Sequence, residues 1–284
     1  MNFYNINDRS EKVTLRQAVL QSMPAGPGLY MPENIPVLPS SFLGNLKIMS
    51  FKEIAFEVSR KMLGSDVPEA VLKDIVGEAY YFPLPLLQME TNIHVLELFH
   101  GPTMAFKDVG ARFMAGLFTW LAKNEDREIT ILAATSGDTG SAVANAFFGR
   151  PGINVIILYP SGKVSDIQEK QLTTMGGNIT ALEINGDFDD CQRMVKMAFT
   201  DKDLNSRLKL TSANSINFAR LFPQSFYYFH AVGQLSGTAL PVAISVPGGN
   251  FGNLTAGLIA KKMGLHVARF IASCNMNHSV TDYL

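Results

Sequence analysis

The sequence predicts an α/β protein in which a helix-rich N-terminal section precedes open, twisted parallel sheet in three-layer domains, the last one incomplete. Three observations predict it. From about residue 93, short β-branched or apolar runs alternate with helical stretches, the rhythm of βαβ units. Before that point the chain is punctuated by prolines and shows helical spacing instead. Finally, only two strand-like runs follow residue 226 before the chain stops at "NHSVTDYL", so the sequence reads as the N-terminal portion of a longer polypeptide. The expected divisions are 1–95, 96–225 and 226–284.

In the first section, "MPAGPGLYMPENIPVLP" carries Pro24, Pro27, Pro32, Pro36 and Pro39, which predicts loop with one short extended piece. "SFKEIAFEVSRKML" sets Ile54, Phe56, Val58 and Met62 among charges, an amphipathic helix, and "PEAVLKDIVGEAYYF" reads as another. Pro83 and Pro85 close the section.

The expected strands are then "HVLELF", "EITILAAT", "INVIILYP", "NITALEI", "LKLTS", "PVAISVP" and "VARFIAS". Between them lie helical stretches: "KDVGARFMAGLFTWLA", "DTGSAVANAFFG", "SDIQEKQLTTMG", "FDDCQRMVKMAF" and "NLTAGLIAKKMG". Ser165 and Gln168 have the spacing of a capping box. Pro223 predicts a kink or break in "NFARLFPQSFYYFHAV". Helices of this length between strands place helices on both faces of a parallel sheet.

Composition excludes several functions. The chain has 284 residues, 47% apolar and 17% charged, with a formal net charge of −1. A sequence-independent nucleic-acid binder needs a basic face, so small molecules or proteins are the expected partners. No run approaches the ~18 uncharged apolar residues of a membrane span, and "MNFYNINDRSEK" lacks the basic and apolar regions of a signal peptide. Cys191 and Cys274 have no metal-type spacing, and the five histidines show no H-E-x-x-H pattern. The expectation is a cytoplasmic protein that holds no metal and binds neither membrane nor nucleic acid.

In parallel α/β sheets, ligands bind beyond the carboxyl ends of strands, which directs attention to the strand-to-helix turns. "VPGGNFGNLTAG" runs from a strand through Gly248, Gly249, Asn250, Phe251, Gly252 and Asn253 into a helix. Close backbone approach and a helix N-terminus make this a phosphate cradle in physical terms. It is not the dinucleotide pattern G-x-G-x-x-G, and a glycine turn serving geometry alone has the same appearance. "ATSGDTGSAV" places Ser136, Asp138 and Thr139 at another helix start, suited to a carboxylate or phosphate; plain helix capping is the alternative.

"YPSGKVSDIQ" has Gly162 and Lys163, but Ile157 and Val164 stand where Walker A needs glycine and Ser/Thr, which rejects ATP cradling. Lys163 is left facing either an anion or solvent. "SANSINFAR" clusters Ser212, Asn214, Ser215, Asn217 and Arg220, a second candidate anion site or an ordinary cap.

Lys107 lies in "ELFHGPTMAFKDVGARF", behind a Gly-Pro-Thr turn and directly after Ala105 and Phe106. An amine in an apolar pocket has a lowered pKa and can form a Schiff base with an aldehyde. With an anion cradle elsewhere for that aldehyde's phosphate, the pair suggests pyridoxal 5′-phosphate.

"LFHGPTMAFKDVGARFM", "ATSGDTGSAVANAF", "ILYPSGKVSDIQEKQ", "SANSINFARL" and "VPGGNFGNLTAGLIAKKMGL" together resemble the threonine synthase family, of the bacterial and fungal type with an extended N-terminal region. The resemblance covers almost the whole chain with the motifs in family order. It implies a fold-type II pyridoxal-phosphate enzyme, like the tryptophan synthase β subunit. It implies that Lys107 is the Schiff-base lysine, and that Gly249, Asn250, Phe251, Gly252 and Asn253 bind the cofactor phosphate. Ser136, Asp138 and Thr139 match the turn that meets the substrate carboxylate and the ring hydroxyl. Many relatives of this fold type have asparagine at the place of Asp138. Thr103, Lys163, Ser215, Asn217 and Arg220 are the implied remaining substrate contacts. The implied reaction converts O-phospho-L-homoserine and water to L-threonine and phosphate, catalysed by a carbon–oxygen lyase that is a monomer or homodimer. A related phospho-lyase or dehydratase, or an inactive fragment that only binds ligand, are the alternatives.

Overall fold

The chain begins with a feature that the sequence pattern did not announce. In a computed structural model that describes residues 1–24, 26–214, 217–235, 237 and 241–276, strands β1 (Asn2–Asn5), β2 (Asp8–Thr14) and β3 (Tyr30–Pro32) form an antiparallel sheet in the order β2-β1-β3. β2 is "DRSEKVT", mostly exposed, so it lacks the apolar alternation that reveals a strand. β3 is the short extended piece expected among the prolines.

Helices follow: α1 (Leu15–Gln21), α2 (Ser40–Asn45), α3 (Phe51–Leu63) and α4 (Glu69–Ala79). Ser50 and Glu53 close a capping box on α3, and Ile54, Val58 and Met62 turn its apolar stripe into the core.

The expectation for "HVLELF" needs correction. It forms β5 (Ile93–Leu96), which pairs antiparallel with β4 (Leu86–Glu90) in a hairpin apart from the parallel sheet. The reason lies in the Thr91–Asn92 turn, where Asn92 takes φ 65°, a left-handed conformation that asparagine tolerates.

After α5 (Lys107–Ala122), the main sheet is built from β6 (Ile129–Ala134), β7 (Ile153–Pro160), β8 (Ile179–Ile184) and β9 (Lys209–Ser212). All three pairings are parallel, in the order β8-β7-β6-β9. The crossovers carry α6 (Asp138–Phe147), α7 (Asp166–Thr173), α8 (Phe188–Thr200) and α9 (Lys202–Arg207). Ser165 and Gln168 make the expected capping box on α7.

The two faces of this sheet belong to different cores, as a side-chain period of two requires. Ile129, Ile131, Val155 and Ile157 join the large core with α5 and α6. Leu132, Ala134 and Leu158 face Cys191 and Val195 of α8 in a smaller one.

Pro223 breaks its helix as expected. α10 (Phe218–Leu221) gives way to a single 3-10 turn at Phe222–Gln224, and α11 (Ser225–Gln234) resumes beyond it. A separate parallel pair, β10 (Ala243–Pro247) and β11 (Arg269–Ser273), flanks α12 (Gly252–Lys262). No helix among the described residues is long and apolar enough to cross a membrane.

Candidate active site

The strand order reverses at β6. Chain progression runs outward through β7 and β8, then returns to set β9 on the other side of β6. In open parallel sheets ligands bind beyond the strand ends at such a reversal, which here points to the turns that follow β6 and β9. They carry Asp138 and Arg220, whose charges act on one another.

The β6–α6 turn is organised by a residue absent from the sequence-based candidates. Thr135 is fully buried. Its hydroxyl accepts from the amides of Gly137 at 3.0 Å and Gly140 at 2.8 Å, and donates to the Gly137 carbonyl. This holds Asp138 and Thr139 at the first turn of α6. A Thr closing a buried strand just before a glycine turn was the available signal. Ser136 is exposed at the tip.

Lys107 is the first residue of α5. Its ammonium donates to Asp138 Oδ1 at 2.7 Å and Thr139 Oγ1 at 2.8 Å. Burial pulls its pKa below the ordinary lysine range; Asp138 works against that shift, and the charge of Arg220 adds to it. The lysine turn is closed from inside by Asp108, whose carboxylate accepts from the Thr103 hydroxyl at 2.6 Å and the Thr103 amide at 3.0 Å. Burial raises the pKa of Asp108. Thr103, expected at the substrate, is buried with its hydroxyl engaged in this loop.

On the β9 side, Asn217 is buried and turned inward. Its side chain caps α10 at Ala219 and donates to the Val19 carbonyl of α1 at 2.8 Å. Arg220 is 1% exposed. Its Nη1 donates to the Ala213 carbonyl at 2.6 Å, while Nη2 is buried with no hydrogen-bond partner among the described residues. Burial pushes the guanidinium pKa down to about 10, against the pull of Asp138 and Asp108. Arg220 therefore stays charged at neutral pH, with an unused donor in a buried place that an anion would satisfy. Lys163 stands exposed on the β7–α7 turn. Ser215 lies outside the described residues.

The glycine turn after β10 has the form of a cradle. A Cβ at Gly248 would lie 2.6 Å from the Ser273 carbonyl oxygen and 2.7 Å from the Phe251 ring, whereas one at Gly249 would meet nothing within 4 Å. Phe251 takes φ 54°, and Gly252 and Asn253 open α12, so the turn presents backbone to a helix N-terminus. A carbonyl group held by an amine of lowered pKa, with a phosphate in this cradle, matches the residues present.

Known proteins resemble the chain over its whole length. A family model for the threonine synthase N terminus matches residues 2–80, and one for pyridoxal-phosphate dependent enzymes matches residues 73–281. The chain belongs to the threonine synthase family of pyridoxal-phosphate dependent enzymes. Threonine synthase of Escherichia coli is 47% identical over 285 residues, covering 100% of this chain and 66% of the relative. That of Haemophilus influenzae is 51% identical with the same coverage. The crystal structure of the Escherichia coli threonine synthase superposes with a TM-score of 0.92 at 45% identity. The pyridoxal-phosphate-bound threonine synthase of Brucella melitensis gives 0.89 at 38%, covering 96% of this chain and 60% of that one. The chain thus spans about two thirds of the length of the bacterial threonine synthases it matches, 66% in both curated cases. Its cofactor is that of the family, pyridoxal phosphate.

Proposed function

We propose that this chain carries the lysine and both anion-binding turns of a threonine synthase, a carbon–oxygen lyase that turns O-phospho-L-homoserine and water into L-threonine and phosphate. The observation that carries the reading is the junction of Lys107, Asp138 and Thr139, facing a buried Arg220 with an unpaired Nη2 among the described residues. Pyridoxal phosphate supplies an electron sink that stabilises negative charge beside the amino-acid Cα and Cβ.

The residues of the chain divide the remaining work. Lys107 anchors the cofactor, and its amine then takes and returns protons at Cα and Cβ, a task that a lowered pKa favours at neutral pH. Asp138 and Thr139 hold that amine in place between transfers. Ser136 and Thr139, at the N-terminus of α6, receive the substrate carboxylate. Arg220, with Lys163 and Ser215, receives the leaving phosphate by charge-assisted hydrogen bonds; Asn217 and Thr103 shape this wall. Gly249, Asn250, Phe251, Gly252 and Asn253 hold the cofactor phosphate.

The test is spectroscopic. Wild-type protein mixed with pyridoxal phosphate should show a visible absorbance band that borohydride abolishes, with a reduced cofactor fixed on Lys107 by mass spectrometry. Lys107→Ala should show neither. A wild-type protein without the band refutes the lysine assignment. With O-phospho-L-homoserine, phosphate release without threonine would assign a phospho-lyase instead.

A further inference from the structure

Two consecutive tyrosines of α11 reach the N-terminal turns of two different helices. The Tyr227 hydroxyl donates to the carbonyl of Phe106, the residue just before Lys107. Phe106 is the N-cap of α5 and has no side-chain capping bond of its own. Tyr227, 121 residues further along the chain, thus ties the start of α5 to α11.

The next residue does the equivalent for the glycine turn. The Tyr228 hydroxyl donates to the Asn253 carbonyl at 2.6 Å, in the first turn of α12. The N-cap there, Phe251, also lacks a side-chain capping bond. Neighbours on a helix point about 100° apart, so one turn of α11 addresses both helix ends without bending.

That turn is itself held firmly. Every residue from Ser225 to Phe229 is buried. Tyr227 stacks on Phe51 with ring centroids 6.4 Å apart, and Tyr228 meets Phe270 edge-on at 5.7 Å. The hydroxyl oxygens are therefore fixed relative to one another by packed rings on a single rigid element.

We propose that Tyr227 and Tyr228 form a brace that fixes the Lys107 amine relative to the 249–253 turn, setting the separation between the two points at which the cofactor is held. The inference rests on the reading of Lys107 and the glycine turn given above. Both tyrosines are positioning residues. Neither hydroxyl needs to touch the cofactor.

Tyr227→Phe and Tyr228→Phe keep the rings and remove the hydroxyls. Each should weaken pyridoxal phosphate binding by about tenfold, equivalent to ~1.4 kcal/mol. Each should also slow borohydride-trapped fixation on Lys107 and move the pH midpoint of the visible band. The double variant should lose little more than one single variant, because a brace is broken once. Tyr80→Phe is the control: its hydroxyl donates to the Val109 carbonyl at 3.3 Å on the same turn of α5 without reaching the glycine turn, and it should leave the cofactor affinity within about twofold.

Wild-type affinity in both tyrosine variants, or strictly additive losses in the double, overturns the brace and leaves the function intact. If wild-type protein itself fails to fix the cofactor, the proposed function falls. Amide hydrogen exchange of cofactor-free protein then decides the brace alone. Faster exchange in the first turns of α5 and α12 in either variant supports it. Unchanged protection at both overturns it.

Discussion

Thr135 shows how much one hydroxyl can organise. It serves two amides and a carbonyl of the turn that presents Asp138 and Thr139 to Lys107. Thr135→Val keeps the shape but leaves two buried donors without their acceptor, at a cost on the order of 2 kcal/mol or more. Urea denaturation should read that loss as a lower midpoint, and fixation of pyridoxal phosphate on Lys107 should slow in parallel. Gly140, four residues after Ser136, is crowded in the same way. A Cβ there would lie 2.6 Å from Thr135 Cγ2 and 3.0 Å from Ile157 and Leu172. Gly140→Ala should therefore destabilise by about 1–3 kcal/mol, an overpacking effect visible in the same titration. At this scale the sequence was informative about chemistry and silent about support. Lys107, Asp138 and Arg220 were legible as candidates because each lies at a turn entering a helix, and the family resemblance, not their residue type, separated them from ordinary caps. Tyr227 and Tyr228 were not, because their partners lie 121 and 25 residues away; Thr135 and Asp108 act on neighbours within five residues, but as buried supports and not as the groups that a motif displays.

Among the elements, α11 links the N-terminal section to the site through His230. Its Nε2 lies 2.8 Å from the Leu84 carbonyl, and its ring meets Phe51 edge-on at 5.3 Å. Burial holds its pKa below the ordinary histidine range. The unfolded chain therefore takes up a proton near pH 6.5 while the folded chain resists it, so stability falls as pH drops below that value. Compared with His230→Gln, wild-type protein should lose more stability between pH 7 and pH 5.5. Parallel pH dependence in the two proteins would contradict this account. The strands of the main sheet and the break at Pro223 were readable because central parallel strands are continuous apolar runs and proline removes a donor. β1, β2 and the β4–β5 hairpin escaped because their partners, not their composition, make them strands. "HVLELF" has strand composition, and only its pairing decides which sheet receives it.

At the scale of the whole molecule, the large core runs from Phe3 to Val267 and includes residues from every section of the chain. Phe3 of β1 is fully buried and meets Phe218 of α10 edge-on at 5.0 Å, two residues from Arg220. Phe3→Ala should cost about 3–5 kcal/mol. Because the core is shared, Trp120 fluorescence and far-ultraviolet circular dichroism should shift together in thermal melts instead of separating into two transitions. The other face of the main sheet is a different matter. α8 rests on Cys191 and Val195 over Leu132, Ala134 and Leu158, a small patch with no part in the larger core. Met194 and Met197 on its outer side are exposed. A layer held by so few buried contacts opens locally at a free energy far below that of global unfolding. Protease should therefore enter first between residues 188 and 207, and the nicked chain should still trap its cofactor. The fold has placed its weakest seam on the side of the sheet that faces away from its lysine.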